Sequence, residues 1–138
     1  RLVFSAVRIT SDLTRMGELS LHIARAVRRR HPESLVSDVL RDDLRRMADL
    51  AAQIVEVLRG AFAEFDLETI SGVHAFEDEL DKAHSRVLAT LEGPDWDGDI
   101  PTAVDTALVA RFYGRFGDQA VDVADRLIFF VTGERPAA

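Results

Sequence analysis

Two stretches of this chain, one hundred positions apart, are written on one pattern: residues 13–24 read LTRMGELSLHIA and residues 113–124 read YGRFGDQAVDVA. Arg15 matches Arg115, Gly17 matches Gly117 and Ala24 matches Ala124. Glu18 stands against Asp118, Leu21 against Val121 and Ile23 against Val123. Internal self-similarity of this kind marks a duplicated structural unit, so the fold must hold two like-built segments. Both copies lie in long stretches of helical periodicity. A glycine inside a helix costs about 1 kcal/mol relative to alanine. That cost recurs at one repeat position, between an arginine and a carboxylate. Two reasons suit it: close approach of two helix backbones, or a charged site built on both repeats.

The remainder reads as four helices, with Pro, Gly and Asp gathered between them. The first spans about Leu2 to Arg30 and stops at His31-Pro32. It has no N-cap and no acidic first turn, and Arg1-Leu-Val-Phe is already apolar and periodic, so further residues are expected upstream. The second runs from about Ser37 to Phe65, with Leu40, Leu44, Met47, Ala51, Ile54, Leu58, Ala61 and Phe65 as its stripe. Steps alternating between four and three make the seam of a left-handed bundle. Asp66 is a good N-cap for the third, which runs to about Leu91 and ends at Gly93-Pro94. Its stripe is Val73, Leu80, Ala83, Val87 and Leu91, with Phe76 alongside. Asp95 to Asp99 is a loop whose Trp96 packs on the end of the bundle. The fourth is expected to start near Thr102, in a capping box with Asp105, and to stop at Gly133 after Thr132. Val109, Tyr113, Phe116, Ala120, Val123, Leu127 and Phe130 form its stripe. Helices of this length reach about 40 Å, and short turns make neighbours antiparallel. The fold class is all-α, an antiparallel bundle of four long helices in one domain, with no β pattern competing.

Several function classes are disfavoured. No apolar run approaches the ~20 residues of a membrane span; Leu127–Val131 is the nearest. No basic-then-apolar leader precedes a cleavage site, so export is not indicated. The absence of cysteine removes disulfides and thiolate chemistry and fits a cytoplasmic protein. A formal charge of −7 argues against a nucleic-acid footprint. The one basic cluster, Arg25, Arg28, Arg29, Arg30 and His31, closes the first helix and suits the negative end of its dipole. No phosphate-cradling glycine loop, nucleophile elbow or pair of Glu-x-x-His motifs is present. A binding protein is favoured over an enzyme.

Candidate chemistry lies on charged stripes. Arg111, Arg115, Asp118, Asp122 and Asp125 of the fourth helix project from one face. Ser11, Arg15, Glu18, His22 and Arg25 are their counterpart on the first, and the third offers His74, Asp78 and Asp81 with Glu77, Glu79 and His84 nearby. Such stripes are usually solvated faces held by i,i+4 pairs. If they converge, Glu18, Asp78, Asp81 and Asp118 form a candidate metal set for a divalent or an iron- or zinc-type ion. His22, His74 and His84 have no obvious partner triad and read as surface or packing residues rather than catalysts. Phe112, Tyr113, Phe116, Phe129 and Phe130 read as core.

The repeated core resembles the PhoU family, the regulators attached to bacterial high-affinity phosphate transport. Members carry two three-helix repeats, with a stretch close to LERIGDxAxNIAE on the last helix of each. The ending RLIFFVTGE and the acidic stretch FEDELDKAHSRVLATL resemble the same family, most nearly its actinobacterial branch. The resemblance implies that residues 1–31 are the last helix of repeat one, lacking its upstream part, and 34–138 a complete repeat two. The first carboxylate of the family's Glu/Asp-x-x-x-Asp metal motif falls on Thr14 and Gly114. By resemblance the chain is a cytoplasmic, non-catalytic negative regulator joining the phosphate ABC transporter's ATPase to a sensor histidine kinase. Arg15, Glu18, Arg111, Arg115, Asp118 and Asp122 would be its partner-binding residues, and a homo-oligomer is expected. Two alternatives stay open: a bundle with a di- or multinuclear carboxylate metal site, and a purely structural dimerisation module.

Overall fold

The computed structural model describes residues 2–94 and 96–134. Four α-helices fill it: α1 (Leu2–Arg30), α2 (Arg41–Glu64), α3 (Leu67–Glu92) and α4 (Ile100–Thr132). Local chemistry sets their ends. Ser37 caps a short 3-10 turn, Asp38–Leu40, that leads into α2. The Asp66 carboxylate accepts from the Thr69 amide and hydroxyl at 2.8 Å, satisfying donors that the first turn of α3 leaves orphaned. Gly133 closes α4 with φ 79°, a left-handed conformation that costs glycine nothing.

The start of α4 differs from the expected Thr102–Asp105 capping box. Asp99 is the N-cap, and its carboxylate accepts from the Thr102 amide at 2.8 Å. Pro101 fits within the first turn, where its missing N–H is no loss. Thr102 therefore sits in the first turn of the helix as a capped residue, and Asp105 is free to pair across the bundle.

α4 lies at the centre and packs against α1, α2 and α3, while α2 packs on α3. The anticipated stripes are the core. Leu40, Leu44, Met47, Ala51, Ile54, Leu58 and Ala61 are buried on the α2 side, as are Val73, Leu80, Ala83 and Val87 on α3. Val109, Phe116, Ala120, Val123 and Leu127 meet them from α4. Each fully buried Leu or Ile contributes about 1.5–3 kcal/mol. Phe112, Tyr113, Phe129 and Phe130 are half-buried at the margins of this core rather than inside it. Trp96 packs partly against it, as expected, and Asp95 lies outside the described residues. Phe65, taken as the last stripe position of α2, is instead an exposed C-cap in left-handed conformation. The chain must reverse there into α3, and the turn rotates the ring off the buried face.

The two repeat glycines differ. A Cβ on Gly117 would stand 2.9 Å from Leu80 Cδ2 and 3.3 Å from Glu77 Cγ, so α3 and α4 need glycine to approach this closely. Nothing lies within 4 Å of the same position at Gly17. Close approach therefore accounts for the second copy only.

Candidate functional site

α1 and α4 run antiparallel, and the two copies of the repeat cross side by side. Toward one end, Arg30 Nη2 donates to Thr102 Oγ1 at 2.6 Å and Nε stands 3.4 Å from the Asp105 carboxylate. Toward the other, Arg126 Nε donates to Asp12 Oδ2 at 2.7 Å. Between them Arg15, Glu18, Leu19 and His22 of α1 meet Arg115 and Gln119 of α4 around a cleft of about 180 Å³. Helical spacing explains the set. Residues 15, 18, 19 and 22 follow steps of three and four, so one face of α1 presents all of them. Three residues of the anticipated partner-binding set thus line one feature.

The rest of that set is distributed along α4. Asp118 pairs with Arg115 at 3.5 Å, one helical turn away, with both side chains about half exposed. Arg111 is exposed a turn before the cleft. Asp122 lies beyond it, in a second cleft of about 480 Å³ that also involves Arg8, Asp125 and Arg126. Partial burial, and then the nearby charge of Asp12, hold the Asp122 carboxyl above its ordinary value, with Arg126 acting against them. The repeat offset carries His22 onto Asp122 and Phe112 onto Asp12. One of these equivalent pairs is a ring stack, with centroids 5.2 Å apart. The other is two carboxylates sharing Arg126.

The candidate metal residues do not assemble. Among the described residues no three carboxylate or imidazole side chains are grouped to hold a metal ion. Glu18 opens into the α1–α4 cleft, whereas Asp78 and Asp81 sit on α3. Asp118 is near enough to α3 to raise the Glu77 carboxyl. That shift comes first from burial, then from the charges of Asp81, Asp118 and Asp78. The charges of these carboxylates repel one another. Gly114, at one first-carboxylate position of the family motif, faces the His84 ring, with room for an ordinary contact at 3.5 Å.

Several polar residues were not singled out as partners. Asp12, 8 % exposed, and Arg126 form a largely buried ion pair. His74 pairs with Asp125 across α3 and α4 at 3.0 Å. Arg86 reaches Asp43 at 3.1 Å. Arg30, read as part of a helix-end cluster, is tied to α4. These partners lie 43 to 114 positions apart, beyond any spacing rule for a single helix.

No helix among the described residues is long and apolar enough to cross a membrane. The PhoU domain description matches residues 44–127, which run from the first turn of α2 nearly to the end of α4. The chain is similar to the phosphate-specific transport system accessory protein PhoU homolog 1 of Mycobacterium bovis, with 36% identity over 136 residues, 99% of this chain and 62% of that protein. PhoU homolog 2 of Mycobacterium tuberculosis is 33% identical over 136 residues, 99% of this chain and 64% of its own length. A homolog from Methanothermobacter thermautotrophicus is 28% identical over 138 residues, covering 99% of this chain and 63% of itself. The chain thus spans under two thirds of the length of these curated relatives. No solved structure matches it significantly. With the duplicated charged core, the all-helical fold and these matches together, the chain belongs to the PhoU family.

Proposed function

We propose that this chain is a regulatory accessory component of a phosphate-specific transport system, acting in the cytoplasm without catalytic turnover. It joins the transporter's ATPase to a sensor histidine kinase and represses the phosphate-starvation response. Its relatives, described as phosphate-specific transport system accessory proteins, support the transport context. The observation that carries the assignment of a docking face is the convergence of both repeat copies: Arg15, Glu18 and Arg115 line one cleft, and Asp118 is held beside it. Arg111 and Asp122 extend that charged surface along α4. A rigid pair of helices holding alternating charges at fixed spacing presents a polar pattern to a partner helix. Such complementarity sets specificity and on-rate more than affinity.

The test is a pull-down of the kinase's cytoplasmic portion and of the transporter ATPase, with Asp118→Ala alongside. The Arg115–Asp118 pair is a half-exposed pair one turn apart, so its loss costs at most about 1 kcal/mol. Weakened partner binding with nearly unchanged melting supports the reading. Unchanged binding with a large loss of melting temperature makes the pair structural and removes it.

A further inference from the structure

The cleft between α1 and α4 is lined from both walls by repeat equivalents. Arg15 and Leu19 of α1 meet Arg115 and Gln119 of α4, and the repeat offset carries the first pair onto the second. Glu18 and His22 complete the lining. The duplication fails at one of these positions. α1 holds leucine where α4 holds glutamine, so an apolar side chain serves this packing position in one copy. Gln119 is only 8% exposed, it lines the cleft, and its amide forms no hydrogen bond among the described residues. Buried polar groups are paired with few exceptions, and an unpaired one calls for a reason.

The charged lining is also uncommitted. Among the described residues Arg15 and Glu18 form no hydrogen bond or ion pair. Arg115 is held by Asp118 at 3.5 Å, which leaves most of its five N–H donors unused. The cleft is open with α4 fully covered. Arg115 and Asp118 stay about half exposed although α2 and α3 also pack on α4. What those helices cover is the side of Gly117 and Ala124, both buried. Through the repeat, Arg15 and Glu18 occupy the face of α1 that corresponds to Arg115 and Asp118, not its Gly17–Ala24 side.

This lining selects a ligand by its hydrogen-bonding capacity. Two guanidinium groups and an amide NH2 offer donors to an anion from both walls. The Glu18 carboxylate repels a bare anion and accepts only from a ligand that also donates. Sulfate and simple carboxylates are fully ionised at neutral pH and carry no such donor. Inorganic phosphate keeps a P–OH beside its charged oxygens and matches both demands. The volume of about 180 Å³ lies below the roughly 300–1,000 Å³ of sites for larger organic ligands, which suits the ion rather than a nucleotide. We propose that the α1–α4 cleft binds inorganic phosphate, with Arg15, Arg115 and the Gln119 amide donating to its oxygens and Glu18 accepting from its P–OH. This deepens the docking-face reading, on whose cleft it rests, by giving that cleft a small ligand.

The test is a calorimetric titration of inorganic phosphate into the full chain at neutral pH in a phosphate-free buffer, with sulfate and O-phosphoserine run beside it. Saturable binding of one phosphate per chain is expected, at least about tenfold tighter than sulfate. Arg15→Gln should weaken it at least about tenfold, as loss of a charge-assisted hydrogen bond does, with the ligand-free melting temperature unchanged because Arg15 is exposed and unpaired. Gln119→Leu restores the residue of the other repeat. It should weaken binding several-fold while ligand-free melting stays level or rises, since no internal hydrogen bond is lost. Glu18→Gln should abolish the preference for phosphate over sulfate. The proposal is overturned by absence of saturable binding, by equal binding of sulfate to the unmodified chain, or by undiminished binding to the Arg15→Gln chain. It is likewise overturned if Glu18→Gln keeps the full preference, or if O-phosphoserine binds more tightly than the free ion. The titration contains no partner protein, so its failure leaves the pull-down result standing, and a failed pull-down leaves the titration standing.

Discussion

Glu77 shows how one side chain records its surroundings. It sits at the α3–α4 contact, with Asp78 and Asp81 on its own helix and Asp118 opposite, and only His74 opposes their effect. Its carboxyl is raised in the folded state, so the native protein keeps a proton over a pH window in which the unfolded chain has lost it. Stability therefore falls as pH rises through that window. Glu77→Gln should raise the melting temperature at neutral pH, on the order of 1–2 °C. The gain should fade as pH drops into the ordinary carboxylate range, where wild-type Glu77 is also neutral. Paired melting curves from acidic to neutral pH check this, and a gain independent of pH would refute it. Asp66 and Asp99 have the opposite sign. Hydrogen bonds from Thr69 and Thr102 lower their carboxyls, so their contribution is present at neutral pH and lost in strong acid.

At the scale of elements, the glycine pair separates two causes that the repeat presents as one. Gly117 lets α3 lie close on α4, with the buried Leu80 where a Cβ would go. Gly117→Ala should force Leu80 or the helix to shift, costing about 1–3 kcal/mol. Gly17→Ala meets no neighbour and should stabilise by up to about 1 kcal/mol through helix propensity. Chemical denaturation of the two variants measures both. Equal destabilisation would mean that both glycines are packed alike in solution. The long stripes of α2, α3 and α4 were legible because burial against one seam imposes steps of three and four. The αL turn at Phe65 was not, since phenylalanine is the wrong residue for that conformation and its periodicity continued the stripe.

Across the whole molecule the duplication is unequal. Val27 of α1 is 54% exposed, while its repeat equivalent Leu127 is 2% exposed. Ala24 is exposed and Ala124 buried. α4 is covered by α1 on one side and by α2 and α3 on others, whereas α1 packs on α4 and presents Leu21 and Val27 outward. Exposed apolar residues on one helix favour self-association. This chain should therefore form oligomers at high concentration. Leu21→Lys with Val27→Lys should shift it toward monomer with little change in melting, as read by sedimentation or light scattering. A monomer in both forms would refute this and remove the dimerisation reading.

What the sequence determined by itself was the number of helices, nearly all of their ends, and the core stripes. These depend on forces acting within a few residues: proline's missing donor, a carboxylate over the first turn, glycine past the last, and the period of apolar side chains. The repeat also announced that Arg15, Glu18, Arg115 and Asp118 belong to one theme. Only the tertiary structure decided that three of them line a single cleft, that Glu18 is apart from Asp78 and Asp81, and that Asp12 finds Arg126 and His74 finds Asp125. The start of α4 lay between these cases, with Asp99 outcompeting Thr102 by three positions because Pro101 fits the first turn. Cross-helix pairing depends on which faces meet and at what height. That is fixed by how whole helices pack, with Leu80 seated against Gly117, and no local spacing rule encodes it.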